Sequence, residues 1–225
     1  MQIIHKNLSY IFDGWFPEKI FSGFTSTFFQ GKPEEDISSL FLSFGFTKKI
    51  AYMKQIHSER ICFVKDAGEY EGDGLFTNSK DLSLVVKTAD CMPIILHSEV
   101  LKITGVIHMG WRSAICGILD NIIRCVNISE LSSFKIILGP GMRKCCYSVG
   151  EEFFGHKSFV PFLSRNGERI FFDPVNFSRN TLLKYGVDEN SFCDTDICSI
   201  CSGKDIFSHR KKHAGRTLSF ITVKK

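Results

Sequence analysis

Three side chains of this 225-residue chain are of types that hold a divalent cation: His57 closes KQIH, Cys91 follows VVKTAD, and His108 sits in GVIHMGW. Imidazole nitrogen and thiolate sulfur suit zinc, and three protein ligands with a fourth position left open make a catalytic site rather than a structural one. Zinc held there would bring the pKa of a bound water to near 7. Asp90, beside Cys91, and Asp73, in GDG, are of the type that orients ligand imidazoles or acts as acid and base. Each residue also has an ordinary reading. A histidine at a strand end is commonly a hydrogen-bonded core or surface residue, and a cysteine among Val and Ile is commonly inert. The three lie far apart along the chain, so only folding decides between the readings.

Cations and amides extend the candidate site. Arg112, in GWRSA, and Arg210 and Arg216, in the Lys-rich tail, carry guanidinium forks that suit phosphate. For the tail pair, plain surface charge is the competing account. Gln55 stands two residues before His57, and on a strand it would face the same side.

These residues must be positioned by short elements. Residues 33–46, PEEDISSLFLSFGF, predict a helix, with Pro33 and acidic residues at its start and an apolar stripe at Ile37, Leu40, Phe41 and Phe44. Strands are expected at 50–57, 60–65, 74–77, 82–88, 92–96 and 103–110, a helix at 113–127, and a strand at 134–141. VGEEFFGHKSFVPFL and NFSRNTLLKYGV read as helices, and RTLSFITVK alternates like a strand. Helices and strands mix without strict βαβ alternation, which predicts an α+β fold of packed layers. No repeat or Pro/Gly/Ser linker divides residues 1–225, so a single domain is expected.

Composition narrows the function classes. A 44% hydrophobic and 23% charged chain is that of a globule able to bury a core, and the twenty-two Phe are expected to fill it. A net charge of +4 lacks the dense Lys/Arg clustering of a nucleic-acid binder. No stretch approaches the roughly 18 apolar residues of a membrane span. Nine cysteines, an odd number, and a start without a signal-peptide pattern point to a reducing cytoplasm.

KQIHS, GDGLFT, TADCMPIIL, GVIHMGWRSA, LGPGMRKCCYSVGEEF and FSHRKKHAGRTLSFI together resemble the YfiH-type family, known as laccase-like multicopper polyphenol oxidoreductases and as purine nucleoside phosphorylases. The resemblance runs in order over most of the chain and is strongest from about residue 50. It implies a layered α/β/β/α sandwich with mixed sheets, and a catalytic zinc on His57, Cys91 and His108. It further implies phosphorolysis of adenosine and inosine to free base and ribose 1-phosphate, by a monomer or homodimer, with adenosine deamination and methylthioadenosine cleavage as further activities. Zinc stands ahead of copper, because a multicopper site needs more clustered imidazoles than seven scattered histidines provide. A metal-free hydrolase using Cys91 as nucleophile and His108 as base is the alternative from another enzyme class, and a non-catalytic role in cell-wall quality control is a further one. The chain departs from the family pattern at GFTSTFFQGK (23–32), where the usual Thr-Arg pair is absent and the N-terminal lobe reads as shortened, at WRS with Ser113, and at FSHR with His209.

Two further cysteine patterns invite a metal reading. Cys198-x2-Cys201-x7-His209-x3-His213 has too few residues between its pairs for a helical zinc finger, which leaves a compact knuckle as the alternative. The resemblance accounts for Cys198 alone, so Cys201, His209 and His213 are expected to be incidental. Cys145 and Cys146 are adjacent and would face opposite sides of a strand, so they are read as structural core residues and poor partners for one ion.

Overall fold

The computed structural model describes residues 1–126 and 128–224, the side chain of Ile128 excepted. Its strands are β1 (Gln2–Lys6), β2 (Ser9–Asp13), β3 (Ile20–Thr25), β4 (Lys49–Lys54), β5 (Ile61–Phe63), β6 (Gly68–Glu71), β7 (Gly74–Thr77) and β8 (Leu82–Thr88). They continue with β9 (Met92–Ser98), β10 (Ile103–Met109), β11 (Phe134–Leu138), β12 (Ser148–Val149), β13 (Leu163–Asn166), β14 (Arg169–Phe172), β15 (Phe192–Asp194) and β16 (Thr217–Val223). The helices are α1 (Pro33–Ser43), α2 (Trp111–Ile115), α3 (Ile122–Cys125) and α4 (Pro174–Leu183).

Two large mixed sheets form, ordered β1-β2-β3-β16-β8-β4-β6 and β15-β11-β9-β10-β7-β5, with a small sheet β12-β14-β13. Period-two alternation explains how they stack. On β8, Leu84 and Val86 point into the space between the sheets, where they join Ile95 of β9 and Val106 of β10. Val85 faces the other way and meets Ile37, Leu40 and Phe41 of α1. From the second sheet Ile94, Leu96 and Ile107 turn outward onto Ile118, Leu119 and Ile122, and onto Phe177 and Leu182 of α4. The result is the expected α/β/β/α sandwich.

Pro33 and the acidic run Glu34, Glu35 and Asp36 open α1 as expected. Two predicted helices need correction. The 113–127 segment is not one helix: Gly117 at φ +86° ends the turn begun by α2, and α3 restarts at Ile122. Asn127, the last residue of that expected helix, lies outside the described residues. VGEEFFGHKSFVPFL forms part of β12, two 3-10 turns at Glu151–Gly155 and Val160–Phe162, and the first residue of β13. Gly155 and Pro161 interrupt its apolar rhythm before a helix can propagate. The strands β1 to β3 lie ahead of the expected elements. None of the described helices is long and apolar enough to cross a bilayer.

Candidate metal centre and cleft

The chain changes layer between β8, in the first sheet, and β9, in the second, and Cys91 sits in that crossover. β10 pairs antiparallel with β9, His108 opposite Pro93, which brings His108 to the same sheet end as Cys91. His57 follows β4, a neighbour of β8. One ligand atom from each of His57, Cys91 and His108 falls within 4.8 Å of the others. The two imidazole rings stand edge to face, 4.9 Å between centroids. His108 is buried, whereas His57 and Cys91 are half-buried and open the site to solvent.

Backbone strain marks the same place. His57 at φ +57° and Asp90 at φ +85° adopt the left-handed region, which non-glycine residues rarely enter and which concentrates at functional sites. Gly110, ahead of α2, makes room for the cluster: a β-carbon there would lie 3.1 Å from Cys91 Sγ and 3.2 Å from His57 Cδ2. The donor set and this cradle fit a small cation held by two imidazoles and a thiolate.

Electrostatics fit as well. Burial pushes the Cys91 thiol up, but the charge and hydrogen bond of His108, with help from His57, outweigh it and bring the thiol down to about 6. Burial opposes charge on His108, yet Cys91 and Asp73 raise that imidazole to about 9. Asp73, fully buried, contacts His108 Nδ1 at 2.8 Å through Oδ1, while its Oδ2 accepts from the Ser58 N–H at 2.6 Å and the Ser58 hydroxyl at 3.0 Å. Burial would raise the Asp73 carboxyl, and these bonds instead hold it below its ordinary value. Asp73 thus orients His108 so that Nε2 faces the cluster. We expect Asp73→Asn to weaken metal affinity by about 10–100-fold, measured by competition with a chromophoric chelator.

Asp90 works as a clamp. Its Oδ1 accepts the Ser199 hydroxyl at 2.6 Å, its Oδ2 the Arg210 N–H at 2.8 Å, and its carbonyl the Met142 N–H at 2.7 Å. Asn tolerates the left-handed backbone and can still pair with both partners, whereas Ala strands them. Asp90→Ala should therefore lower unfolding free energy by about 3 kcal/mol and Asp90→Asn by about 1 kcal/mol, read from urea denaturation.

Beside the metal cluster lies a cleft of ≈ 340 Å³ lined by Trp111, Tyr147, Ser148, Glu152, Phe153 and Arg210, among others. The Arg210 guanidinium bonds Ser148 Oγ at 2.8 Å and Ser148 O at 2.6 Å, and stands 5.9 Å from the Tyr147 ring centroid. Arg112, itself not among the lining residues, is exposed and stacks 4.5 Å over the ring of Trp111, which is. Burial holds the Tyr147 phenol protonated well above its ordinary range.

Two of the other expected site residues are placed elsewhere. Gln55 uses both ends of its amide on the Lys87 backbone, at 2.5 and 3.0 Å, extending the β4–β8 pairing. Arg216 bonds the carbonyls of Ala214 and Gly215, packs its backbone against Gly31, and is not among the cleft-lining residues. Sequence reasoning passed over Tyr147, Glu152 and Ser199. The only signals were an aromatic after CC and a carboxylate in GEEF, neither of which has a diagnostic spacing.

A family model described as multi-copper polyphenol oxidoreductase laccase matches residues 32–224. The chain belongs to this family, the YfiH family. A purine nucleoside phosphorylase of Borreliella burgdorferi is 33% identical over 187 residues, 78% of this chain and 80% of that one. One of Aquifex aeolicus with the same name is 30% identical over 185 residues, 81% of this chain and 87% of that one. The crystal structure of YfiH from Bacillus licheniformis shares the fold, with a TM-score of 0.85 at 20% identity over 99% of both chains.

Proposed function

We propose that this YfiH-family protein is a purine nucleoside phosphorylase that converts adenosine and inosine to free base and ribose 1-phosphate, with zinc held by His57, Cys91 and His108. The observation that carries the reading is the convergence of those three side chains beside an aromatic, arginine-bearing cleft, in a chain whose relatives at 30–33% identity bear that name. Zinc, when bound, would supply a Lewis-acid centre able to polarise a substrate oxygen.

The protein's own groups supply the rest. Trp111 and Tyr147 offer flat faces for a purine. Arg112 and Arg210 are the cations for phosphate and for the negative charge carried through the reaction. A phosphate oxygen attacks C1′ of the ribose, the C1′–N9 bond breaks with its electron pair going to the base, and the base takes up a proton. Glu152, one of the residues lining the cleft, is the carboxyl group we assign to deliver it. Asp73 and Asp90 act through the residues they hold. The protein operates on small molecules in the cytoplasm, without nucleic acid or membrane.

A second reading rests on a specific observation: Cys91, His108 and Asp73 also form the nucleophile–base–orienter chain of a metal-free cysteine hydrolase. Incubating purified protein with adenosine, with and without phosphate, and separating the products tests the proposal. Adenine and ribose 1-phosphate that form only with phosphate, and vanish after chelation, are the expected result. Inosine formed without phosphate would assign deamination to the same site. No release of base or ammonia overturns the enzyme reading, and activity that survives complete metal removal favours the cysteine mechanism.

A further inference from the structure

Away from the His57 cluster, four more thiols converge. Cys145, Cys146, Cys198 and Cys201 bring their sulfurs within 4.8 Å of one another, with Cys145 and Cys201 3.6 Å apart. The expectation that Cys145 and Cys146 diverge assumed a strand. They lie instead in the turn Lys144–Cys146, which closes through Cys146 N–H and Tyr147 N–H to the Arg143 carbonyl, and alternation does not apply to a turn. Cys198 and Cys201 occupy a second turn, closed by Ser202 N–H to the Cys198 carbonyl.

We propose that these four thiolates bind one tetrahedral thiophilic cation, zinc by class, which staples the 143–147 turn to the 197–202 turn. Thiolates bound to one zinc at about 2.3 Å sit about 3.8 Å apart, close to the 3.6 Å between Cys145 and Cys201 and inside the 4.8 Å that encloses all four sulfurs. A 4Fe–4S cluster, with its own iron beneath each thiolate, or a 2Fe–2S cluster, with two thiolates on each of two irons, would spread at least two of the sulfurs further. A disulfide would join only two of the four and needs a sulfur separation near 2.05 Å. The surroundings also fit an anionic centre. The Arg143 guanidinium, 6% exposed, pairs its Nη2 with Asp194 at 2.8 Å and leaves Nε and Nη1 without hydrogen-bond partners.

The staple has a reason to exist. Ser199, inside the second turn, donates its hydroxyl to Asp90 and its N–H to the Gly141 carbonyl, while Met142 N–H donates to the Asp90 carbonyl. Joining the two turns therefore fixes both sides of the Asp90 clamp next to Cys91.

The experiment compares wild type, Cys91→Ala and the double variant Cys145→Ser/Cys201→Ser, purified under reducing, chelator-free conditions, for zinc per chain by elemental analysis. The double variant should hold one zinc fewer than wild type. Cys91→Ala reconstituted with cobalt(II) should show the intense thiolate-to-cobalt charge-transfer absorption and tetrahedral ligand-field bands of a four-sulfur site. Equal zinc content in wild type and the double variant overturns the proposal, as does Cys91→Ala protein with no such cobalt spectrum. If the double variant fails to fold, the cobalt spectrum of Cys91→Ala decides alone. Because that variant lacks the Cys91 ligand, its result is independent of whether the His57 cluster binds metal or turns over nucleosides.

Discussion

Replacing Cys91 by alanine will lower phosphate-dependent release of adenine from adenosine by more than about 100-fold and remove the metal held by His57 and His108. A positioning partner behind a metal ligand is worth about 10–100-fold, so loss of the ligand itself exceeds that range. Cys91 is the only thiolate of its cluster, and the two histidines left behind would hold a cation weakly. Product separation and zinc content per chain are the measurements. The arm that separates the two mechanisms is metal content: a metal-free cysteine enzyme also loses activity in Cys91→Ala, but its zinc content does not change. The variant should fold, because Cys91 is half-buried and the removed sulfur faces the cluster rather than an apolar core.

Phe220→Ala is expected to cost the fold about 3–5 kcal/mol, the range for a fully buried phenylalanine whose site cannot collapse. Phe220 lies on β16, between β3 and β8 of the first sheet, and is fully buried. Its ring centroid is 5.5 Å from that of Phe21 and 5.6 Å from that of Phe41 on α1, so its removal opens a cavity between helix and sheet. Chemical denaturation at 25 °C measures the loss. A cost under about 1.5 kcal/mol would mean that the α1 layer repacks freely, against the interlocking of Phe21, Phe41, Phe46 and Phe220. Folded Phe220→Ala protein should keep its metal content, because Phe220 belongs to the apolar cluster under α1 and not to the strand ends that carry the ligands.

Local patterning carried far along the chain. β7 and β8 span the expected residues, α1 starts at the expected Pro33, and β4, β5, β9, β10 and β11 differ from expectation only at their ends. These segments combine strong periodicity with turn residues at their boundaries. The two helix errors share one cause. Both segments have helical spacing of apolar residues, but a glycine or proline within them weighs more than the rhythm, and packing onto the second sheet accepts turns as readily as a helix.

What residue type and order determined by themselves is the identity of the donors: two imidazoles and a thiol at strand ends, in motifs specific enough to suggest a family. Which donors share an ion was decided by tertiary structure. His57, Cys91 and His108 meet because the chain passes from one sheet to the other at Cys91 while β4 and β10 end at the same place, a relation between non-neighbouring strands that no spacing encodes. Cys145 and Cys146 met Cys198 and Cys201 for the same reason. Their turns are joined through the parallel bridge between Gly141 and Cys198, more than fifty residues apart in sequence, and a rule drawn from strand alternation had no purchase on two turns.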